Sequence, residues 1–205
     1  TFSEVPGAFN LQLGSLGTIS WVDIDSDGFL DLFLSETAGR YYFRNNGDGT
    51  FTQNTTSPLV TVAITSTRGH SWGDINNDGF VDLVQLSQNP GSQTTFFIND
   101  GAGSFTSSDD LTRTGAEIIG RTSALEDIDN DGDLDLMVIQ SSNEQQVYLN
   151  NGLGDFTLVT PLQQNFYTAY TFGSLSVADF NNDGFTDLVN FSSIADAASV
   201  HIEDI

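Results

Sequence analysis

The sequence predicts an all-β chain built from four consecutive four-stranded sheets. Three observations carry that expectation. A nine-residue Asp/Asn/Gly pattern occurs four times, its first aspartates 51, 53 and 52 residues apart in a chain of 205 residues. Short apolar runs flank every copy. An Asn-x-Gly-x-Gly-x-Phe pattern follows each of the first three copies. A period of about fifty residues, kept from end to end, marks one supersecondary unit copied along the chain.

The first pattern reads Asp23-Ile-Asp25-Ser-Asp27-Gly28-Phe29-Leu-Asp31, then Asp74-Ile-Asn76-Asn-Asp78-Gly79-Phe80-Val-Asp82. The third copy is Asp127-Ile-Asp129-Asn-Asp131-Gly132-Asp133-Leu-Asp135, and the fourth is Asp179-Phe-Asn181-Asn-Asp183-Gly184-Phe185-Thr-Asp187. Oxygen side chains stand at positions 1, 3, 5 and 9, with glycine at position 6. That spacing suits a hard cation wrapped by a tight loop, and calcium is the candidate, one ion per repeat and four in all. A single copy is also explained by turn chemistry without metal. Four complete copies in phase favour the metal reading. Clustered carboxylates repel one another strongly unless a divalent ion neutralises them. Positions 1, 3, 5 and 9 are the expected side-chain ligands, with Asn76 and Asn181 as neutral substitutes. The position-7 residues Phe29, Phe80, Asp133 and Phe185 are expected to give their backbone carbonyl, because three of the four lack a side-chain oxygen. The Asp133 side chain is accordingly expected to face solvent.

An EF-hand begins in the same way but ends on a glutamate at position 12 and runs into a helix. Position 12 here is Leu34, Gln85, Val138 or Asn190. The ninth residue opens the runs Asp-Leu-Phe-Leu, Asp-Leu-Val-Gln, Asp-Leu-Met-Val and Asp-Leu-Val-Asn, which are short and strand-like. The segment before each loop is equally short and apolar, so the loop joins two strands of a hairpin. The second pattern reads Tyr42-Phe43-Arg-Asn45-Asn-Gly47-Asp-Gly49-Thr-Phe51, with copies ending at Phe105 and Phe156. Asn-Asn-Gly and Asn-Asp-Gly between β-rich runs signal a second hairpin. Four-stranded units of about fifty residues are propeller blades. The reading is therefore a single β-propeller domain over residues 1–205. It has four blades of about 52 residues, at approximately 1–50, 51–104, 105–155 and 156–205, each with a calcium loop in its first hairpin.

With both patterns present, the chain resembles the FG-GAP/VCBS repeat family, the integrin-α-type calcium β-propellers, over essentially its full length. The resemblance implies an extracellular setting, secreted or at the cell surface. It also implies a role in adhesion or in recognition of a carbohydrate or protein ligand. A structural subunit of an extracellular assembly is the alternative, and a non-catalytic propeller part of a larger secreted enzyme is a more distant one. Many relatives have seven blades, whereas four loops are present here.

Composition agrees. The formal net charge is −23, and fourteen of the 28 acids are proposed loop ligands. The acidic surface weighs against nucleic acid and anionic membranes as partners. No apolar run approaches the length that spans a bilayer, so no membrane insertion is expected. There is no cysteine, and bound calcium can supply the stabilisation that disulfides give other secreted domains. The first residue is threonine, as in a processed or excised segment. Asn54-Thr-Thr and Asn190-Phe-Ser match glycosylation triplets, a number close to chance in so Asn/Ser/Thr-rich a chain.

No catalytic constellation is visible. The two histidines, His70 and His201, read as packed strand residues, and no nucleophile elbow or metallohydrolase helix occurs. Trp21 and Trp72 hold equivalent positions, matched by Leu125 and Val177, and read as core. Strand alternation puts both hairpins of a repeat on one face. Recognition is then expected on the opposite face, around 35–40, 87–94, 141–145 and 192–198 and in the inter-blade segments 54–68, 107–122 and 158–174. Finally, Thr1-Phe2 aligns with the strands at Phe51, Phe105 and Phe156, and residues 199–202 align with a third strand. The terminal strands could close the chain's own ring or complete a neighbouring copy, giving self-association. A third reading, placed behind these two, is that the chain is an excerpt of a larger propeller.

Overall fold

A computed structural model describes residues 17–36, 39–88, 94–108, 118–140, 145–159, 174–191 and 198–201. Four antiparallel sheets follow one another along the chain. The first holds β1 (Thr18–Val22), β2 (Asp31–Glu36), β3 (Gly39–Asn45) and β4 (Phe51–Asn54). The short helix α1 (Pro58–Thr61) leads to the second, with β5 (Thr67–Gly73), β6 (Asp82–Ser87), β7 (Thr95–Asn99) and β8 (Phe105–Ser108). The third holds β9 (Thr122–Glu126), β10 (Asp135–Ile139), β11 (Gln145–Asn150) and β12 (Phe156–Val159). The fourth has three strands among the described residues, β13 (Ser174–Ala178), β14 (Asp187–Phe191) and β15 (Ala198–His201). Every sheet is a meander, its strands paired in chain order.

The acidic loop joins the first two strands of each sheet, and the Asn-x-Gly-x-Gly turn joins the last two of the first three. Sheet limits fall a few residues later than the repeat limits set by the period, so the strand opening at Phe51 closes the first sheet. The segment 198–201 is the third strand of its sheet, as its alignment suggested. Thr1-Phe2 lies outside the described residues.

The sheets stack face against face, with first strands side by side in the order β1, β5, β9, β13. That arrangement explains the second-strand sequences. β2, β6 and β10 are buried along their whole length; β6 and β10 lie between two neighbouring sheets, and on the outer face of β2, Leu32 and Leu34 cluster with Phe43, Tyr41 and Phe51 of their own sheet. Alternate side chains then go to opposite junctions. Phe33 of β2 packs with Leu83, Phe97 and Phe105 of the second sheet. On β6, Val84 and Leu86 turn the other way, to Leu136, Val138 and Tyr148 of the third. On β10, Met137 faces the fourth sheet, where Leu175 and Val177 meet it. Aromatic edges fill the first junction: Trp72 stands edge-on to Phe33 at 5.3 Å between centroids, within the favourable range for such pairs.

Helix α1 was not foreseen. Its signal is Ser57-Pro58, a capping hydroxyl followed by proline at the first helical position. The Ser57 hydroxyl accepts from the Leu59 amide, and the fully buried Leu59 plugs the first junction. Trp21 corrects an expectation. Trp72 is half-buried at a junction, whereas its equivalent Trp21 is 54% exposed, as is its neighbour Ile19 at 59%. Both project from the face of the first sheet that has no preceding sheet among the described residues.

His70 is packed, as its strand position suggested. Its ring lies between the first two sheets, Nε2 at 2.8 Å from the Ser20 hydroxyl and Nδ1 at 2.7 Å from the Ser35 hydroxyl. Ser35 donates to the Arg68 carbonyl, so it accepts from Nδ1–H, and Ser20 donates to Nε2. Both ring nitrogens are satisfied in the neutral form. Burial holds the imidazole at a pKa of about 4. The unfolded chain protonates near pH 6.5. The stabilising contribution is therefore complete above that pH and is lost as pH falls to about 4, a loss of about 3 kcal/mol. Urea unfolding of wild type and His70→Gln between pH 7 and pH 4 checks this. Wild type should lose about 3 kcal/mol more than the variant over that window.

Candidate functional site

Each acidic loop is organised by its own backbone amides. In the first, Asp23 accepts from the Asp27 amide at 3.0 Å and the Gly28 amide at 2.9 Å. Asp27 in turn accepts from the Phe29 amide at 3.0 Å. Asp74 and Asp78, Asp127 and Asp131, and Asp179 and Asp183 repeat these bonds. Closing so tight a loop needs two left-handed residues. Position 6 is glycine, with φ near +90° (Gly28), where a side chain would be strained. Position 4 is Ser26, Asn77, Asn130 or Asn182, at φ between 57° and 61°. Asparagine tolerates that region best among residues with a side chain. The repeated asparagine after position 3 was a legible signal for this bend.

The ninth aspartate does more than end the loop. Asp31 is fully buried. One of its carboxylate oxygens accepts from the Ile24 amide at 3.2 Å and the Tyr42 hydroxyl at 3.1 Å. The other accepts from the Asn45 amide at 2.7 Å. Asp82 holds the Ile75 and Asn99 amides, and Asp135 holds the Ile128 and Asn150 amides, in the same way. The fourth copy, Asp187, holds the Phe180 amide. One carboxylate thus ties the acidic loop to the Asn-x-Gly-x-Gly turn. Burial pushes the pKa of all three of Asp31, Asp82 and Asp135 upward, Asp82 to about 6, while the amide bonds oppose the shift. At Asp82 and Asp135 each oxygen retains a lone pair for a further partner, and at Asp31 the oxygen that takes the Asn45 amide does.

The turn itself is shaped by the loop. Gly101 has φ +78°, and a Cβ there would lie 2.3 Å from the Phe80 ring. The position-7 side chain sits over this glycine in each of the first three repeats. Asp133 does so too, at Gly152, and accepts from the Asn77 side chain at 2.6 Å. Its side chain therefore does not face solvent as expected. It is drawn sideways by the position-4 asparagine of the preceding repeat. Further bonds join neighbouring loops. Asn99 donates to the Ile24 carbonyl at 2.9 Å, Asn150 to the Ile75 carbonyl at 2.7 Å, and Asn130 to the Gly184 carbonyl at 3.0 Å.

Among the side-chain positions 1, 3, 5 and 9, position 3 is where the repeats differ. Asn76 donates to Asp78 at 2.9 Å and Asn181 to Asp183 at 2.6 Å, so the second and fourth loops relieve their own repulsion. In the first loop the charge is met by Arg44, which bonds both Asp25 and Asp27. The third loop has neither device. Local desolvation and the neighbouring Asp131 charge push the pKa of the exposed Asp129 up. Carboxylate oxygens of Asp23, Asp25 and Asp27 lie within 4.8 Å of one another, as do those of Asp127, Asp129 and Asp135. Asp25 Oδ1 is buried with no hydrogen-bond partner. About half of the recognition segments expected on the opposite face lie outside the described residues. The described parts are 35–36, 39–40, the whole segment 54–68 that carries α1, 87–88, 94, 107–108, 118–122, 145, 158–159, 174 and 198.

This geometry separates two kinds of aspartate by experiment. In chelator, Asp135→Ala should cost about 2–5 kcal/mol in urea unfolding, because it leaves two buried amides without acceptors. Asp129→Ala should cost nothing or stabilise slightly in the same buffer, because it removes a repulsion.

Comparison with known proteins follows the same repeat. The FG-GAP-like repeat model matches residues 23–85, 74–138 and 127–189, each match opening on the first aspartate of a loop. A search of curated proteins finds no match. Among solved structures, an Agrocybe aegerita lectin described as recognising non-reducing terminal N-acetylglucosamine superposes with a TM-score of 0.55 at 22% identity. The alignment covers 83% of this chain and 45% of that one, so the chain spans under half of the lectin's length. The likeness supports a propeller-like succession of four-stranded sheets. With its repeat matched from residue 23 to residue 189, the chain belongs to the FG-GAP-like repeat family.

Proposed function

We propose that the chain is an extracellular, calcium-stabilised β-propeller module that recognises a glycan. The observation that carries the proposal is the fourfold loop. Backbone amides fix the carboxylates of positions 1 and 5, and in the first and third loops carboxylate oxygens converge within 4.8 Å. The donor set is all oxygen and mostly anionic, as calcium requires. Asp23, Asp25, Asp27, Asp31 and the Phe29 carbonyl would hold the first ion, with Asp74, Asn76, Asp78, Asp82 and the Phe80 carbonyl for the second. Asp127, Asp129, Asp131, Asp135 and the Asp133 carbonyl would hold the third, and Asp179, Asn181, Asp183, Asp187 and the Phe185 carbonyl the fourth. The ion would supply the counter-charge that lets these carboxylates stay packed.

Glycan recognition draws on the lectin likeness and on the division of labour in the fold. The acidic loops occupy one face as fixed, amide-locked hairpins. The other face is left to loops that differ from repeat to repeat, the usual place for binding on a fixed scaffold. The net charge of −23 disfavours polyanionic partners. No helix among the described residues is long and apolar enough to cross a membrane. No catalytic step is assigned.

A glycan array probed in calcium and again in chelator tests this reading. Binding in calcium that disappears in chelator is the expected result; no bound glycan in calcium would overturn the recognition role. The sites should also be unequal. Arg44 already occupies two ligands of the first loop, so Arg44→Leu should raise the affinity of one site about three- to tenfold in a calorimetric calcium titration. The other sites should be unchanged.

A further inference from the structure

The first three repeats share one Asn-x-Gly-x-Gly turn, and the third copy is wired differently. In the first two, the side-chain carbonyl of the leading asparagine holds the amide of the first glycine. Asn45 accepts from Gly47 and Asn99 from Gly101, both at 3.0 Å. In the third, Asn150 turns the same oxygen to the Asn151 amide at 2.9 Å and the Gly154 amide at 3.2 Å. The Gly152 N–H is left without an acceptor among the described residues.

The residue before that glycine differs as well. The chain holds two Asn-Gly pairs, Asn46-Gly47 and Asn151-Gly152, and the second turn has Asp100-Gly101 at the same place. The Asn151 side chain is exposed. Its carbonyl oxygen accepts from the Leu153 amide at 3.0 Å and, more loosely, from the Asp155 amide at 3.4 Å. Its Nδ2 donates to Asp155 at 3.2 Å. Two N–H donors on that oxygen draw electrons from Cγ and meet the charge the oxygen gains when Cγ is attacked. In the first turn, the Asn46 carbonyl accepts from the Thr52 hydroxyl at 3.2 Å and its Nδ2 donates to the Thr50 hydroxyl at 2.8 Å.

We infer that Asn151 is a site of self-modification, losing its side-chain amide to attack by the Gly152 nitrogen, while the folded turn protects Asn46. The Gly152 nitrogen bonds to Asn151 Cγ, the Cγ–Nδ2 bond breaks, and ammonia leaves with the proton given up by the Gly152 N–H. Water then opens the cyclic imide. Addition at Cγ gives aspartate with the ordinary backbone. Addition at the Asn151 main-chain carbonyl carbon gives isoaspartate, with the backbone running through the former side chain. Each event consumes one water and releases one ammonia. At Asn46 the same attack must first break the bond from Gly47 to Asn45, which slows it about tenfold.

The two products differ in consequence. Aspartate is what the second turn already carries, and Asp100 accepts from the Ala102 and Ser104 amides at 2.9 Å and 3.1 Å. The aspartate product therefore keeps the turn and loses the bond to Asp155. Isoaspartate adds a methylene to the main chain directly after Asn150. That residue ties Asp135, Leu134 and Ile75 together through its amide and side chain. Its displacement loosens the hold of the third turn on the acidic loops of the second and third repeats. The inference rests on the geometry of the turn and not on which cation fills the loops.

The test ages the folded chain in neutral buffer made with heavy-oxygen water. Each conversion leaves a heavy oxygen in the product, so proteolysis and mass spectrometry follow Asn46 and Asn151 separately. In the folded chain Asn151 should be labelled about tenfold faster than Asn46. In urea, where neither turn is formed, the two should be labelled at similar rates. Aged protein should unfold at lower urea than fresh protein, and the Asn151→Ser variant should show no such loss. An unlabelled Asn151 in the folded chain, with label present in urea, would overturn the inference. So would equal labelling of the two asparagines in the folded chain. A loss of stability on ageing that is the same in Asn151→Ser would overturn the role given to isoaspartate.

Discussion

Each repeat depends on a carboxylate buried where an apolar side chain would be expected. Asp31, Asp82 and Asp135 sit at the start of a strand with both faces covered, and they are at most 1% exposed. Burying such a group is costly unless its oxygens are occupied. Here the occupants are backbone amides from two separate hairpins, one at the entry of the acidic loop and one at the Asn-x-Gly-x-Gly turn. The two patterns that recur through the sequence are therefore the two ends of one hydrogen-bonded unit. Removing the carboxylate would strand both sets of amides together, which is why the loop and the turn travel as a pair through the chain.

The rest of the loop solves the problem that this anchor creates. Placing an aspartate at the base brings the carboxylates of positions 1, 3 and 5 close to it and to one another. The first loop answers with Arg44, and the second and fourth answer with Asn76 and Asn181. The third loop retains Asp129 beside Asp131, and desolvation together with the Asp131 charge pushes the Asp129 pKa up. The four copies share a backbone but differ in how much of their charge is met from within the protein. Loop-to-loop bonds such as Asn77 to Asp133 make these differences felt by neighbours rather than confined to one repeat.

Much of this was legible in the sequence. The period, the strand flanking each loop, the hairpin at Asn45, Asn99 and Asn150, and the packing of His70 follow from local pattern alone. What escaped depends on contacts between repeats or across variable hairpins. The distance along the chain from Asp31 to Asn45 differs from that between Asp82 and Asn99, so no fixed spacing discloses their bond. Asp133 reads as a solvated acid until Asn77 of another sheet is placed beside it. Trp21 reads as core because its equivalents are core, and it is exposed on a face that has no preceding sheet among the described residues. Helix α1 is too short for periodicity, and only its Ser-Pro start announces it.

In the proposed function a calcium ion completes each amide-locked loop. Metal analysis of protein stripped with chelator, reloaded in calcium and dialysed tests it most directly. The account predicts close to four calcium ions per chain, and three for a variant with Asp127 and Asp129 both replaced by alanine. Reloaded protein that retains no calcium would contradict the account.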